Sequence, residues 1–170
     1  MTTKIIGIDP GLASTGIGVL TGRRNRVETF AYGTIQTSSK DFPAVRLEHL
    51  FTRLMRLFEQ EGPDLLIVED IFSLEKYPKS GITLGKVCGV ILLAGRKSGL
   101  TAIEIPVREA KQVLTGNGNA SKEQLEKAVR RTLGSGKPIR PFHASDALGL
   151  ALIGLFRYAD NQRGPVQGRK

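Results

Sequence analysis

The sequence predicts an α/β protein: a five-stranded mixed sheet in which a three-strand antiparallel meander leads into parallel strands, flanked by helices. Three observations carry this expectation. Two continuous apolar runs, residues 5–8 and 65–68, each end on an acid, Asp9 and Glu69; runs without polar alternation suit strands buried on both faces of a sheet. Between them lie two further stretches of strand-like composition, and the rest of the chain alternates helical periodicity with Gly and Pro breaks.

Taken in order, the first strand stops at Asp9 before a Pro10-Gly11 break, and residues 16–20 (GIGVL) resume as its hairpin partner. Residues 26–36 mix β-branched and aromatic side chains as a third strand. After a turn over 39–43, Val45, Leu47, Leu50, Phe51, Leu54, Leu57 and Phe58 recur near 3.6 spacing, a helix over 44–60 closed by Gly62 and Pro63. The run 65–69 follows as a strand beside and parallel to the first, which would set Asp9 and Glu69 at one carboxyl edge, on strands about 4.8 Å apart. Asp70, next in sequence, should face away from Glu69.

A helix over 77–99 carries Gly81, Gly85 and Gly89 on one face. Each glycine costs a helix about 1 kcal/mol relative to alanine, so the stripe implies close approach, either to the protein's own sheet or to a second subunit. A short strand over 101–105 ends at Pro106, a helix covers 107–115, and residues 116–119 form a loop. Ser121 and Gln124 read as a capping box opening a helix to 133. A second loop, GSGKPIRP over 134–141, precedes a helix over 144–158 that is apolar almost all round. The expected organisation is one domain over 1–158 and a basic tail over 159–170 without fixed structure.

The composition removes several classes of function. One cysteine, Cys88, excludes an internal disulfide, and no Cys/His spacing suits structural zinc. No apolar run is long enough to cross a bilayer, and the N-terminus lacks signal-peptide order, so a soluble, cytoplasmic protein without a membrane partner is expected. The net charge is +9, and its placement is uneven: residues 76–140 hold thirteen Lys and Arg against four acids, while the remainder balances twelve against twelve. A basic middle of this kind points to a polyanionic partner.

The chemistry lies in the acids. Asp9 has no Lys or Arg between Lys4 and Arg23, and an unpaired buried charge is costly. At the start of the last helix, His143 and Asp146 stand three residues apart and share a face. Taken alone, Asp146 is an acid suited to a helix N-terminus and His143 a turn residue near a cap. Together with Asp9 and Glu69 they make an acidic cluster that a hard divalent cation would relieve, with Mg2+ the default and two ions the arrangement suited to phosphoryl transfer. A glycosidase pair would leave the basic middle unexplained, and the chain has no tryptophan for a sugar platform. Gly11, Gly16 and Gly18 are expected to thin the surface so that a phosphate reaches Asp9.

The segments IIGIDPGLASTGIGV, LLIVEDIFS and HASDALGLALI, in this order and at these separations, strongly resemble the RuvC family of Holliday junction resolvases, endonucleases of the RNase H-like superfamily. The resemblance reaches to about Tyr158. It implies that Asp9, Glu69 and Asp146 are metal-binding carboxylates, and that His143 stands where many relatives have aspartate. His143 would then be either a ligand, favouring Mn2+ over Mg2+, or a proton shuttle. The resemblance also implies a homodimer that nicks four-way junction DNA symmetrically in recombination and repair, with branch-migration motor proteins as partners. Phe72 would be a base-stacking wedge, and Lys111 and Lys122 basic residues beside the site.

Three rivals remain at this level. A sugar-kinase or actin-like ATPase shares a strand ending in Asp-x-Gly but is normally two-lobed and much longer. An RNase H-like relative that processes ribosomal RNA precursors shares the opening motif and would prefer structured RNA. A DNA-binding module without catalysis is the third.

Overall fold

The two continuous apolar runs lie side by side at the centre of the sheet. In the computed structural model, which describes residues 2–23, 26–70 and 78–159, with the side chains of 78 and 79 excepted, β1 (Thr3–Asp9) pairs in parallel with β4 (Leu65–Glu69), Ile5 opposite Leu65 and Ile8 opposite Val68. On the other side β1 pairs antiparallel with β2 (Ser14–Arg23), and β2 with β3 (Arg26–Gln36), the expected meander. A short β5 (Ala102–Ile105) extends the parallel half, so the strand order is β3-β2-β1-β4-β5.

Strand alternation divides the core in two. Ile6, Ile8, Leu66 and Val68 point to one face, where they pack on Leu50, Leu54 and Phe58 of α1 (Pro43–Glu61) and Val87, Ile91 and Ala94 of α2 (Pro78–Lys97). Ile5, Leu65 and Ile67 point to the other, into a cluster with Ala110 of α3 (Val107–Thr115), Leu125 and Val129 of α4 (Lys122–Thr132), and Leu148 and Leu152 of α5 (Phe142–Ile153). The parity that sends Ile5 and Leu65 toward α5 also sends Asp9 and Glu69 there. Sheet alternation alone thus delivers both acids to the face that carries His143 and Asp146.

The local signals for the helices hold. α1 ends where Gly62 takes φ 53° and its N–H caps the Phe58 carbonyl. Ser121 and Gln124 form the reciprocal capping box of α4. The last helix differs from expectation: it begins at Phe142, which puts His143 in its first turn, and it widens to a π turn over Gly154–Tyr158. The widening falls where Gly154 is pressed on Ile67 and Ile5; a Cβ there would lie 2.7 Å from Ile67 Cγ1.

Two readings of the glycines need correction. Gly16 and Gly18 do not open a path for phosphate. They lie on the α5 face with Gly7, and the backbone of α5 occupies the space: an added Cβ would stand 2.0 Å from the His143 carbonyl oxygen at Gly16, 2.6 Å from Leu148 N at Gly18 and 2.1 Å from the Ala147 carbonyl oxygen at Gly7. At Gly11 the obstacle is the Ser14 carbonyl oxygen, 2.3 Å away. Nor do Gly85 and Gly89 of the α2 stripe approach the sheet, since a Cβ on either would meet nothing within 4 Å among the described residues.

Candidate active site

The site is assembled where the C-terminal ends of β1 and β4 meet the first turn of α5. Gly7 pairs with Gly18 and Asp9 with Gly16, so the sheet offers α5 a floor without side chains, ending at the acid. α5 answers with its own small residues; Ala151 Cβ is the third-nearest atom to the Cβ position of Gly7. Backbone-on-strand contact of this kind leaves little freedom for sliding. It places His143 Nδ1 2.6 Å from Asp9 Oδ2.

Three carboxyls share this corner. Asp9 and Asp146 are 6% and 7% exposed and Glu69 is half-buried. Burial pushes Glu69 up to about 9, with further contributions from a hydrogen bond shared with Asp9 and from the charges of Asp9 and Asp146. A protonated Glu69 donates that bond. Asp146 is pushed up to about 6, again by burial first and then by Asp9, with Lys122, His143 and Lys111 acting in the opposite sense. His143 is raised above its ordinary value chiefly by its hydrogen bond to Asp9, and its side chain is 43% exposed. Nδ1–H therefore donates to Asp9 and Nε2 is the nitrogen left for other work.

The structure brings together Asp9, Glu69, His143 and Asp146, and sets Lys122 and Lys111 close enough for their charges to act on the acids. Lys122 opens α4 directly after its cap, and Lys111 lies on α3. Phe72 lies outside the described residues, as do residues 160–170 of the expected tail. Two buried features went unnoticed in the sequence. One is the floor glycine Gly7, hidden in an apolar run. The other is Glu126, a buried acid of α4 whose charge disappears into a helix pattern.

Whether these residues suit a metal ion can be judged from their chemistry. Among the described residues no three His, Cys, Asp or Glu side chains are arranged to hold an ion as they stand. His143 and Glu69 both bond to Asp9. The donor set nevertheless fits a hard divalent cation. Asp146 Oδ1 is buried and finds no hydrogen-bond partner among the described residues, a costly condition for a carboxylate, and two acids are held well above their usual range by burial first and then by the neighbouring carboxylates.

Comparison with known proteins decides the family. Residues 5–154 match the family described as crossover junction endodeoxyribonuclease RuvC. The chain belongs to the RuvC family. Among its relatives, the crossover junction endodeoxyribonucleases RuvC of Caldicellulosiruptor saccharolyticus and Syntrophomonas wolfei are 35% and 36% identical to it, over 88% and 91% of this chain and 90% of each of theirs. A solved structure of Thermus thermophilus RuvC in complex with Holliday junction substrate superposes with a TM-score of 0.84 at 27% identity, covering 91% of this chain and 93% of that one. As a RuvC family member the chain is a metal-dependent endonuclease of the crossover junction class, and its sheet and helices form the RNase H-like fold of that family. Among the described residues no helix is long and apolar enough to cross a membrane.

Proposed function

We propose that the chain resolves four-way DNA junctions by hydrolysing phosphodiesters at the corner formed by Asp9, Glu69, His143 and Asp146. One observation carries the residue assignment: three acids meet with a single imidazole at the carboxyl edge of the central strands, with an orphaned carboxylate oxygen among them and two lysines in electrostatic reach. Asp9, Glu69 and Asp146 would hold divalent cations, with Mg2+ the ordinary ion and Mn2+ an effective substitute where His143 contributes nitrogen. A cation held there would supply Lewis-acid polarisation of the phosphoryl oxygen and a more acidic water. The chain's own contribution is placement. Lys122 and Lys111 bind the phosphate, the α5 floor fixes the acids, and His143, oriented by Asp9, holds or passes a proton at Nε2.

The junction has two-fold symmetry and needs two cuts, so we assign the working form to an isologous dimer. The face of α2 carrying Gly85 and Gly89 also presents Ile82 and Leu93, 64% and 52% exposed; these positions lie along one stripe of the helix. It suits close packing of one copy on another. Phe72 as a base-stacking wedge, residues 1–158 as one nuclease domain, branch-migration motors as partners and the cytoplasm as the place of action belong to the same reading.

The test is incubation with a synthetic four-way junction, the matching linear duplex and a structured RNA, each with Mg2+, Mn2+ or no metal. Paired, symmetric nicks in the junction alone, and only with metal, are expected. Equal cutting of duplex would overturn the reading, and preferential cutting of RNA would transfer the protein to the RNA-processing rival.

A further inference from the structure

Glu126 lies on α4, outside the cluster just described, and its side chain is only 5% exposed. A buried carboxylate must be compensated, and the compensation here comes from the segment leading into α5. Its Oε1 accepts a hydrogen bond of 2.9 Å from the backbone N–H of Ile139. Arg130 Nε stands 3.2 Å from the same oxygen at ion-pair distance, although its N–H is not directed at it. Arg140 Nη1 lies 3.8 Å from Oε2. Arg140 in turn donates to the Ile139 carbonyl at 3.0 Å and stacks over the Phe142 ring at 4.1 Å. Phe142 is the first residue of α5, and His143 and Asp146 follow within its first turns.

The path from Glu126 to the site is therefore short and covalent. Gly16 of the floor lies against the His143 carbonyl, while Pro141, the N-cap, makes no side-chain bond to the first turn, so on its N-terminal side that turn is held through the segment that leads into it. We infer that Glu126 is a positioning residue for cleavage: by gripping the Ile139 amide it ties the 134–141 loop to α4 and fixes the start of α5, and with it the placement of His143 and Asp146 against Asp9 and Glu69. This rests on the proposed reading of those four residues as the cation-holding site.

Two conservative variants separate reach from charge. Glu126→Gln keeps an oxygen for the Ile139 N–H and loses the ion pairs. Glu126→Asp keeps the charge and is one methylene too short. Full-length protein is measured for junction binding without metal, for single-turnover cleavage across a Mg2+ titration, and for amide hydrogen exchange over 139–146 without metal. Glu126→Asp is expected to cleave at least tenfold more slowly, to need severalfold more Mg2+ for half-maximal rate and to exchange at least tenfold faster over 139–146, with junction binding within twofold of the unaltered protein. Glu126→Gln is expected to stay within threefold in every readout. Leu125→Ala, a core change on the same helix, controls for general destabilisation and should leave the Mg2+ requirement unchanged.

The inference is overturned by Glu126→Asp with an unchanged Mg2+ requirement, by Glu126→Gln as impaired as Glu126→Asp, or by Leu125→Ala shifting the requirement equally. Asp146→Asn is run in parallel: retained cleavage there would defeat the site assignment, whereas failure of the Glu126 inference alone leaves Asp146→Asn inactive and the 139–146 exchange unaltered in Glu126→Asp.

Discussion

The two faces of the sheet are built on opposite rules. On the α1/α2 face, large aliphatic side chains from strands and helices interdigitate: Ile6, Ile8, Leu66 and Val68 against Leu50, Leu54, Phe58 and Ile91. On the α5 face, near β2 and the end of β1, side chains are removed and helix backbone rests on strand backbone through Gly7, Gly16 and Gly18. Packing by side chains tolerates repacking, whereas packing by backbone does not yield. The ionisable cluster sits on the face that cannot yield. Catalytic groups need placement to fractions of an ångström, and a floor of glycines supplies it without adding a side chain near the reaction.

The largest expected effect tests where the chemistry lies. Asp9 receives bonds from both His143 and Glu69, so Asp9→Asn should reduce cleavage by well over about 100-fold, since losing a supporting contact alone costs about 10- to 100-fold at metal sites. Binding of an uncut junction, held by the basic surface, should persist. Unimpaired nicking by Asp9→Asn, read on a sequencing gel, would break the assignment of the α5 face.

Next in size is the cost of a methyl group on each face. Gly16→Ala drives a Cβ into the His143 carbonyl and should destabilise the fold by about 1–3 kcal/mol or more while displacing the first turn of α5. Gly85→Ala meets nothing among the described residues and should stabilise the isolated subunit by up to about 1 kcal/mol while weakening self-association. Urea melts with sedimentation equilibrium distinguish the two. If Gly16→Ala melts like the unaltered protein, the contrast between yielding and unyielding faces is wrong.

That contrast was only half legible in the sequence. The apolar runs ending in Asp9 and Glu69, the meander and the α1 periodicity were readable because each is a local pattern, and strand parity then carries both acids to one face. His143 and Asp146 were readable in the same way, three residues apart on one helix face. The floor was not readable: a glycine looks alike whether it clears room for a ligand, a helix or another subunit, and only the partner across it tells which. Gly16 sits in a strand and Gly85 in a helix, and in neither case does the local pattern say what lies across from it. Glu126 stayed hidden for the same reason, since its burial depends on Ile139 and Arg140, thirteen and fourteen residues away.

Acidity sharpens the comparison further. Glu69 stands near 9 in the folded chain against an ordinary 4.5, and Asp146 near 6 against 3.8. An acid raised by folding holds its proton longer in the native state, so the native protein binds more protons than the unfolded chain across that window. Stability is fullest below the ordinary values and is lost as pH climbs toward about 9. The metal-free melting temperature should therefore fall from about pH 5 to about pH 9, and Mg2+ should restore it most at the alkaline end. Glu69→Gln should flatten both trends. A metal-free melting temperature that rises over this interval would contradict the proton-sharing arrangement.

The smallest effect lies on the quiet face and shows how far the charge of the other one reaches. Cys88 is buried on α2, yet its thiol is pushed up to about 12 by burial first and then by Glu104, Glu69, Asp70 and Asp9. Two of these acids belong to the site on the opposite face, so its field crosses the sheet. Because the thiolate is the reactive form, a value near 12 against an ordinary 9.0 implies alkylation on the order of 1000-fold slower in the native protein than in the urea-unfolded chain. Mg2+ neutralising Asp9 should speed the native reaction, but by much less than unfolding does, because burial dominates. Mass-spectrometric labelling with iodoacetamide at fixed pH, with and without Mg2+, measures both ratios. A native rate near the unfolded one would mean that α2 opens readily, and the face packed by side chains would then be the looser of the two.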